Sequence, residues 1–196
     1  MTNRLHRRDV AKFLLHERKD LLVVAGLGST AWDITAAGDS PLSFPLWGAM
    51  GSAAMIGLGL ALAQPRRRVL VLTGDGEMLM GMGSLATIGV QKPRNLAVVV
   101  IDNERYGETG MQRTHTASGV DLAKVARGCG FKMSRLIRSR DQLASLRKAI
   151  HHGAGPVFAQ VKVVAEKIPL VLPPRDGGLL KTRFRRALLG EPADLD

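Results

Sequence analysis

Apolar runs of strand length alternate with segments of helical periodicity along most of this chain. Four such runs cover residues 21–25, 69–72, 96–101 and 157–163. Strands that are buried on both faces read as mainly apolar runs, and their alternation with helices is typical of parallel sheets. The pattern therefore predicts an α/β fold, a three-layer α/β/α domain with a mostly parallel sheet covered on both faces.

The predicted helices occupy the segments between these runs. Residues 141–151 show the periodicity clearly, because Leu143, Leu146 and Ile150 recur at helical spacing. We interpret the chain as one domain over residues 1–196, with residues 166–196 as a C-terminal loop and basic helix extension. Further helices are predicted over residues 9–18, 32–37, 83–91, 121–128 and 179–189.

The longest uncharged stretch, residues 46–63, has the length of a short membrane span. Glycines at positions 48, 51, 57 and 59 dilute its hydrophobicity, and the stretch lies between two segments that are predicted to join the sheet. A glycine-rich helix packed closely against strands is therefore the preferred interpretation. We expect no membrane association.

The formal net charge of +11 raises the possibility of nucleic-acid binding. The basic residues gather at positions 4–19, 66–68 and 181–186, without a recognisable reading helix. Solvated faces, or a surface that meets an acidic partner subunit, explain these clusters better. Cys129 is the single cysteine, and the first eight residues lack the apolar core of a signal peptide, so we expect a cytoplasmic protein.

Three glycine-bearing turns, at residues 26–29, 48–51 and 74–76, precede or follow the predicted strands. Glycine permits positive φ and lets the backbone approach a ligand. A helix N-terminus just beyond such a turn offers free N–H groups to an anion. The turns therefore indicate a site for a phosphate-bearing ligand.

Asp75 follows one apolar run directly, and Asn103 closes the next. Parallel strands that end side by side would bring this carboxylate and this carboxamide to the same edge of the sheet, where open α/β folds bind ligands. Mg²⁺ takes oxygen ligands and keeps room for phosphates. Taken singly, Asp75 is explained as a turn residue or helix cap, Asn103 as a loop residue and Met50 as core filler, whereas the combination favours a Mg²⁺-diphosphate site.

This Gly-Asp-Gly motif, closing on a later Asn, resembles the signature of the thiamine-diphosphate-dependent decarboxylases and synthases. The turn at residues 47–51 looks like the one before the glycine-rich helix of these enzymes. Residues 102–112 and 83–89 are similar to sulfopyruvate decarboxylase β subunits and phosphonopyruvate decarboxylases. The resemblance covers residues 20 to 165, and it is to the diphosphate-binding domain.

The resemblance implies roles for individual residues. Mg²⁺ would be held by the side chains of Asp75 and Asn103 and by the backbone carbonyl of Arg105. The Gly48 carbonyl would accept a hydrogen bond from the aminopyrimidine, and Met50 would hold thiamine diphosphate bent, so these two are the catalytic candidates. Glu77 would act through its backbone only, because its carboxylate would repel a diphosphate. The full set implied to bind the cofactor is Ser29, Gly48, Met50, Gly74, Asp75, Gly76, Glu77, Asn103, Arg105 and Tyr106.

The resemblance also implies a partner, because these enzymes need a pyrimidine-binding domain that carries a catalytic glutamate. A separate subunit would supply it, and the chain would work in a hetero-oligomer as part of a 2-oxoacid decarboxylase. Arg105, Arg113 and His115 are candidates to meet a small anionic 2-oxoacid, although Arg113 stands where the sulfopyruvate decarboxylases carry proline. Two alternatives stay open: an acetolactate-synthase-like carboligating subunit, and a basic nucleic-acid-binding protein.

Overall fold

A six-stranded parallel sheet forms the centre of the computed structural model, which describes residues 4–190. The strand order is β2-β1-β3-β4-β8-β7, and a separate antiparallel hairpin pairs β5 with β6. The strands are β1 (Leu22–Ala25), β2 (Ser43–Pro45), β3 (Val69–Gly74), β4 (Leu96–Asp102), β5 (Arg105–Tyr106), β6 (Gln112–Arg113), β7 (Met133–Ile137) and β8 (Val157–Lys162).

Helices cover both faces of the sheet, as the sequence predicts. Helices α1, α2 and α7 pack on one face, while α3 to α6 and α8 contribute to the apolar core of the other. Neighbouring residues of a strand point to opposite faces, so Val23 belongs to the first core and Val24 to the second. The helices are α1 (Arg7–Leu15), α2 (Ser29–Ala36), α3 (Ala53–Ala63), α4 (Asp75–Met80), α5 (Ser84–Gln91), α6 (Leu122–Gly128), α7 (Arg140–His152) and α8 (Gly177–Leu189).

The register of the two central strands brings their carboxyl ends together. Gly74, the last residue of β3, pairs with Ile101 of β4. Asp75 and Asp102 come next along the two strands, and both side chains are buried. Every residue of β4 is buried, because the strand is covered on both faces. The fold thus places the polar residues that follow β3 and end β4 at one edge of the sheet.

Several predicted boundaries were wrong, and the sequence analysis predicted neither the short β5–β6 hairpin nor two strands of the main sheet, β2 and β7. Strand β2 has three residues and ends at Pro45, while β7 carries the exposed Arg135. Both lie at edges of the sheet, where the apolar signal is weakest because one side of the strand lacks a neighbour. With these strands included, the sheet is parallel throughout rather than mostly so.

The helix starts also differ from the sequence-based expectation. Helix α2 begins at Ser29 rather than near Trp32, directly behind the first glycine turn. The Gly-Asp-Gly segment is itself the start of α4 and not only a turn. Within the uncharged stretch, α3 begins at Ala53 and has 11 residues. None of the helices described over residues 4–190 combines the length and apolar character that a membrane crossing requires.

A buried ion pair fixes α1 against α2. The Arg7 guanidinium lies 2.5 Å from Asp33 Oδ2, and Arg8 Nε lies 3.2 Å from Asp33 Oδ1. Arg7 also donates to the backbone carbonyl of Ser29, the first residue of α2. The buried carboxylate of Asp33 is thus paired with two cations, and the pairing holds the N-terminus of α2 in place.

Candidate functional site

A cavity of about 280 Å³ opens at the carboxyl ends of β1, β3 and β4. Ligand sites of open α/β sheets lie at this edge, outside the ends of the strands. Of the residues predicted from sequence, nine line the cavity: Ser29, Met50, Gly74, Asp75, Gly76, Glu77, Asn103, Arg105 and Tyr106.

Three other candidates do not line the cavity. Gly48 is exposed in the loop that leads to Met50. Arg113 and His115 are exposed as well, and the Arg113 guanidinium donates to the carbonyl of Ala117 at 2.7 Å. Of the basic residues that were expected to meet an anionic substrate, only Arg105 therefore faces the cavity in this chain.

Asp75 is the most deeply placed polar residue of the cavity, with 2% of its surface exposed. Its Oδ2 accepts hydrogen bonds from Thr114 Oγ1 at 2.5 Å and from Thr116 Oγ1 at 3.2 Å. It does not act as the helix cap, because Gly74 occupies the N-cap position of α4. The segment after β6 thus holds this carboxylate at the start of α4.

A second buried carboxylate, Asp102, lies behind Asp75. Its Oδ1 accepts from Thr116 Oγ1 at 2.8 Å, and its Oδ2 accepts from Gln160 Nε2 at 2.6 Å. Lys162 Nζ lies 2.8 Å from the same Oδ2 and completes an ion pair. Asp102 is therefore neutralised within the chain, whereas Asp75 forms no ion pair with any residue in the described range 4–190.

The electrostatics of Asp75 fit the position of a cation ligand. Burial raises its pKa to about 6, and the neighbouring charge of Asp102 pushes in the same direction, against the hydrogen bonds from Thr114 and Thr116. A buried carboxylate without a counter-charge is costly unless a cation binds there. Asp75 therefore has the burial, the uncompensated charge and the cavity access that a Mg²⁺ ligand needs.

Asn103 and Arg105 add oxygen atoms to the same cavity. Asn103 Oδ1 accepts a hydrogen bond from the Arg105 backbone N–H at 2.9 Å, and Glu104 between them adopts a positive φ of 63°. This tight turn fixes the direction of the carboxamide. No group of three or more His, Cys, Asp or Glu side chains suited to a metal occurs within the described residues. A cation here would rely on one carboxylate together with amide and carbonyl oxygens.

The glycines in and beside the cavity have two different functions. Gly28 has a φ of 71° and precedes α2, as expected for a glycine that permits positive φ. Gly76 lies inside α4 without a positive φ, and a Cβ there would fall 2.4 Å from Tyr106 Cε1. Gly76 is therefore needed because the Tyr106 ring lies against the backbone of α4.

The carboxylate of Glu77 is held by protein groups. Thr73 Oγ1 donates to Glu77 Oε2 at 2.8 Å, and the Ala53 backbone N–H donates to Oε1 at 3.3 Å. Ala53 is the first residue of α3, so the carboxylate also satisfies one of the free N–H groups of that helix. Burial raises the pKa of Glu77, and these hydrogen bonds oppose the shift.

Most of this chain matches a known protein family. Residues 27–161 match the family described as thiamine pyrophosphate enzyme, C-terminal TPP binding domain. The match includes β3, β4 and every cavity residue named above. The chain belongs to this family. The family membership and the α/β/α fold predicted from sequence are thus confirmed.

Several decarboxylases are similar to this chain over most of its length. Sulfopyruvate decarboxylase subunit beta of Methanothermobacter thermautotrophicus is 40% identical, over 90% of this chain and 91% of its own length. Phosphonopyruvate decarboxylase of Streptomyces viridochromogenes is 39% identical over 74% of this chain, but this covers only 36% of that enzyme. Benzoylformate decarboxylase from Polynucleobacter necessarius has the same fold, with a TM-score of 0.68 and 20% identity, and this chain covers 34% of it.

The polar residues behind the cavity were not predicted from sequence. Thr114, Thr116 and Lys162 carry no motif, although Asp102 directly precedes the predicted ligand Asn103. A signal was present, since Asp102 and Lys162 bear opposite charges at the ends of two apolar runs. This signal can be interpreted only when the strand order is known, because the pairing of β4 with β8 brings Asp102 and Lys162 together.

Proposed function

We propose that this chain is the Mg²⁺- and thiamine-diphosphate-binding subunit of a 2-oxoacid decarboxylase. The observation that carries the proposal is the buried, uncompensated carboxylate of Asp75 in a cavity that Asn103 and Arg105 share. Asp75, the Asn103 side chain and the Arg105 carbonyl hold Mg²⁺. These are oxygen donors, as Mg²⁺ requires, and they leave places for phosphate oxygens and water.

The other residues implied by the resemblance bind and orient the cofactor. The backbone N–H groups of Gly76 and Glu77, at the start of α4, and Ser29, at the start of α2, bind the diphosphate. The Glu77 carboxylate is turned to Thr73 and Ala53, so its charge is partly satisfied away from that anion. Gly48 and Met50, on the loop before α3, position the aminopyrimidine and the bend between the rings.

Thiamine diphosphate, when bound, supplies the electron sink for loss of CO₂ from a 2-oxoacid. The protein's contribution is to hold the cofactor and to exclude water around it. The apolar side chains of Leu27, Met50, Met80 and Ile101 line the cavity beside the polar groups. These residues lower the local dielectric constant, which strengthens the polar contacts that orient the cofactor.

A small 2-oxoacid with a second anionic group is the proposed substrate class. The support is similarity to sulfopyruvate and phosphonopyruvate decarboxylases, together with Arg105 at the cavity. The test is product analysis of the assembled enzyme with sulfopyruvate, phosphonopyruvate and pyruvate. We expect the simple aldehyde from one of the first two. Acetolactate or acetoin from pyruvate would instead assign the enzyme to carboligation.

A partner subunit that carries the pyrimidine-binding domain and its glutamate is part of the proposal. The relative from Methanothermobacter is named a subunit and has nearly the same length as this chain, whereas the phosphonopyruvate decarboxylase of Streptomyces is much longer. The cavity of about 280 Å³ also lies at the lower end of the usual range of ligand pockets, roughly 300–1,000 Å³. Both observations favour a site that a second chain completes.

The outer face of α3, α4 and α5 is the proposed contact surface for that subunit. No charged residue occurs at positions 46–64 or 78–91, although 23% of the chain is charged. Met50 and Met80 belong both to this face and to the cavity wall, so a chain bound here would reach the site. The large apolar side chains exposed on the face are Trp47, Met50, Met55, Leu62, Met80, Met82 and Val90.

Charge substitutions on this face test the contact. Val90 is 77% exposed, so Val90→Lys leaves the core intact, and Leu62→Lys is a second variant. We expect both to abolish co-sedimentation with the proposed pyrimidine-binding subunit, because a lysine would be buried without a partner. Leu179→Lys, at an exposed position on α8, is the control. Complex formation by both variants at wild-type affinity would remove this face from the proposal.

A further inference from the structure

Two threonine hydroxyls lie against the carboxylate of Asp75 and have no role in the function described so far. Thr114 and Thr116 are both buried, and their Oγ1 atoms lie 2.5 Å and 3.2 Å from Asp75 Oδ2. Both contacts fall on the same oxygen. The structure shows no side-chain hydrogen bond to Oδ1 from residues 4–190, so no side chain of this range competes with a ligand for that oxygen.

The two hydroxyls are themselves connected to the rest of the polar cluster. Their Oγ1 atoms lie 2.9 Å apart, and Thr116 Oγ1 lies 2.8 Å from Asp102 Oδ1. Each hydroxyl has one proton, so Thr116 serves one carboxylate at a time, while Thr114 has Asp75 as its single carboxylate partner among the described contacts. Thr116 thus lies between the two carboxylates and can donate to either, whereas Thr114 donates to Asp75.

Lys162 fixes the part of the polar cluster that lies farthest from the cavity, the Asp102 carboxylate. Lys162 Nζ lies 2.8 Å from Asp102 Oδ2 and 2.7 Å from Glu104 Oε1, and Gln160 holds the same Asp102 oxygen. The backbone N–H of Glu104 donates to Asp102 Oδ1 at 3.0 Å. Asp102 therefore cannot rotate freely, and Thr116 is held between a fixed carboxylate and Asp75.

We propose that Thr114 and Thr116 are positioning residues that hold Oδ2 of Asp75 and leave Oδ1 for the Mg²⁺ of the proposed function. The carboxylate of an Asp turns easily about its last torsion, and cation binding must otherwise fix it. The two hydroxyls fix it beforehand. Groups that orient a metal ligand in this way typically change metal affinity by about 10- to 100-fold when they are removed.

The test is a titration of Mn²⁺, used as a paramagnetic probe for the Mg²⁺ position, into the assembled protein with saturating thiamine diphosphate. Free Mn²⁺ is counted by electron paramagnetic resonance, so no turnover is needed. Thr114→Val and Thr116→Val keep the side-chain shape and remove the hydroxyl. We expect each to weaken Mn²⁺ binding by about 10- to 100-fold, with a thermal midpoint close to that of the wild type.

Serine variants and a matched control separate positioning from packing. Thr114→Ser and Thr116→Ser keep the hydroxyl, so we expect them to restore Mn²⁺ affinity. Thr35→Val is the control, since Thr35 donates to the Ala31 carbonyl at 2.8 Å in α2 and lies outside the cluster. If a valine variant does not fold, the alanine and serine variants at the same position repeat the comparison.

The outcomes distinguish this proposal from the one on which it rests. Wild-type protein that binds no Mn²⁺ with thiamine diphosphate would overturn the proposed function itself. Wild-type protein that binds Mn²⁺, together with valine variants that bind it equally well, would overturn only the positioning role. Serine variants as weak as the valine variants would also overturn it, because the effect would then come from packing and not from the hydroxyl.

Discussion

The junction of α1 with α2 and the floor of the cavity each bury an aspartate, but only one of the two aspartates is paired with a cation. At the junction, Asp33 meets the guanidinium groups of Arg7 and Arg8. At the cavity floor, Asp75 meets only the hydroxyls of Thr114 and Thr116 among the described side chains. Asp33 is thus neutralised within this chain, whereas Asp75 forms no ion pair with any residue over positions 4–190. This difference distinguishes a structural ion pair from a ligand site.

The largest expected effect of a substitution is on stability, at the junction. Asp33→Asn removes the charge that pairs with the buried Arg7, and breaking one partner of a buried pair typically costs about 3–5 kcal/mol. We expect the free energy of unfolding in urea to fall by that amount. Cation affinity per folded molecule should change little. An unchanged urea midpoint would show that the pair is solvated and that the contrast between the two regions is false.

The next effect is on cation binding, at the cavity floor. Asp75→Asn removes the proposed Mg²⁺ ligand. We expect Mg²⁺-dependent thiamine diphosphate binding to weaken by more than about 100-fold, which exceeds the effect of removing a residue that only orients a metal ligand. The folded state should not lose stability without Mg²⁺, because an uncompensated buried charge is removed. Isothermal titration calorimetry measures the first effect and urea unfolding the second. Asp20→Asn, at an exposed position, is the control.

A smaller effect is expected on the pH dependence of stability without a divalent cation. Burial raises the pKa of Asp75 to about 6, whereas an unfolded chain has an aspartate pKa near 3.9. The protonated carboxyl is therefore favoured by folding, and its contribution is present below about pH 4 and lost as the pH rises through about 6.

The measurement is the difference in unfolding free energy between the wild type and Asp75→Asn, taken in EDTA from pH 4 to pH 7.5. We expect the wild type to lose stability relative to the variant across this window. Other buried carboxyl groups, such as Glu77, titrate in both proteins and cancel in the difference. A difference that is constant with pH would contradict the raised pKa of Asp75.

The central strands could be predicted from sequence because they are buried on both faces. Residues 96–101 are apolar without interruption, and β4 is fully buried. Edge strands gave no such signal, since β7 mixes Ser134 and Arg135 with apolar residues. The Gly-Asp-Gly segment was recognised as a ligand turn, but its continuation into α4 was not, because a six-residue helix is too short to show periodicity.

The cavity residues on strand ends could be predicted, while those that hold them could not. Asp75 and Asn103 follow apolar runs directly, so their place at the sheet edge follows from the alternation of strands and helices. Thr114 and Thr116 reach Asp75 from beyond the β5–β6 hairpin, a local geometry that no periodicity encodes. Lys162 needed the pairing of β4 with β8. Long-range contacts of this kind require the fold first.

The most direct measurement is the anomalous diffraction of Mn²⁺ in crystals of the assembled enzyme grown with thiamine diphosphate. We expect one strong peak at the carboxyl ends of β3 and β4, roughly 2.0–2.2 Å from an Asp75 carboxylate oxygen, from Asn103 Oδ1 and from the Arg105 carbonyl oxygen. The cofactor diphosphate should supply further oxygens to the same ion. Bound cofactor with the Mn²⁺ peak elsewhere, or with no peak in contact with Asp75, would contradict the site.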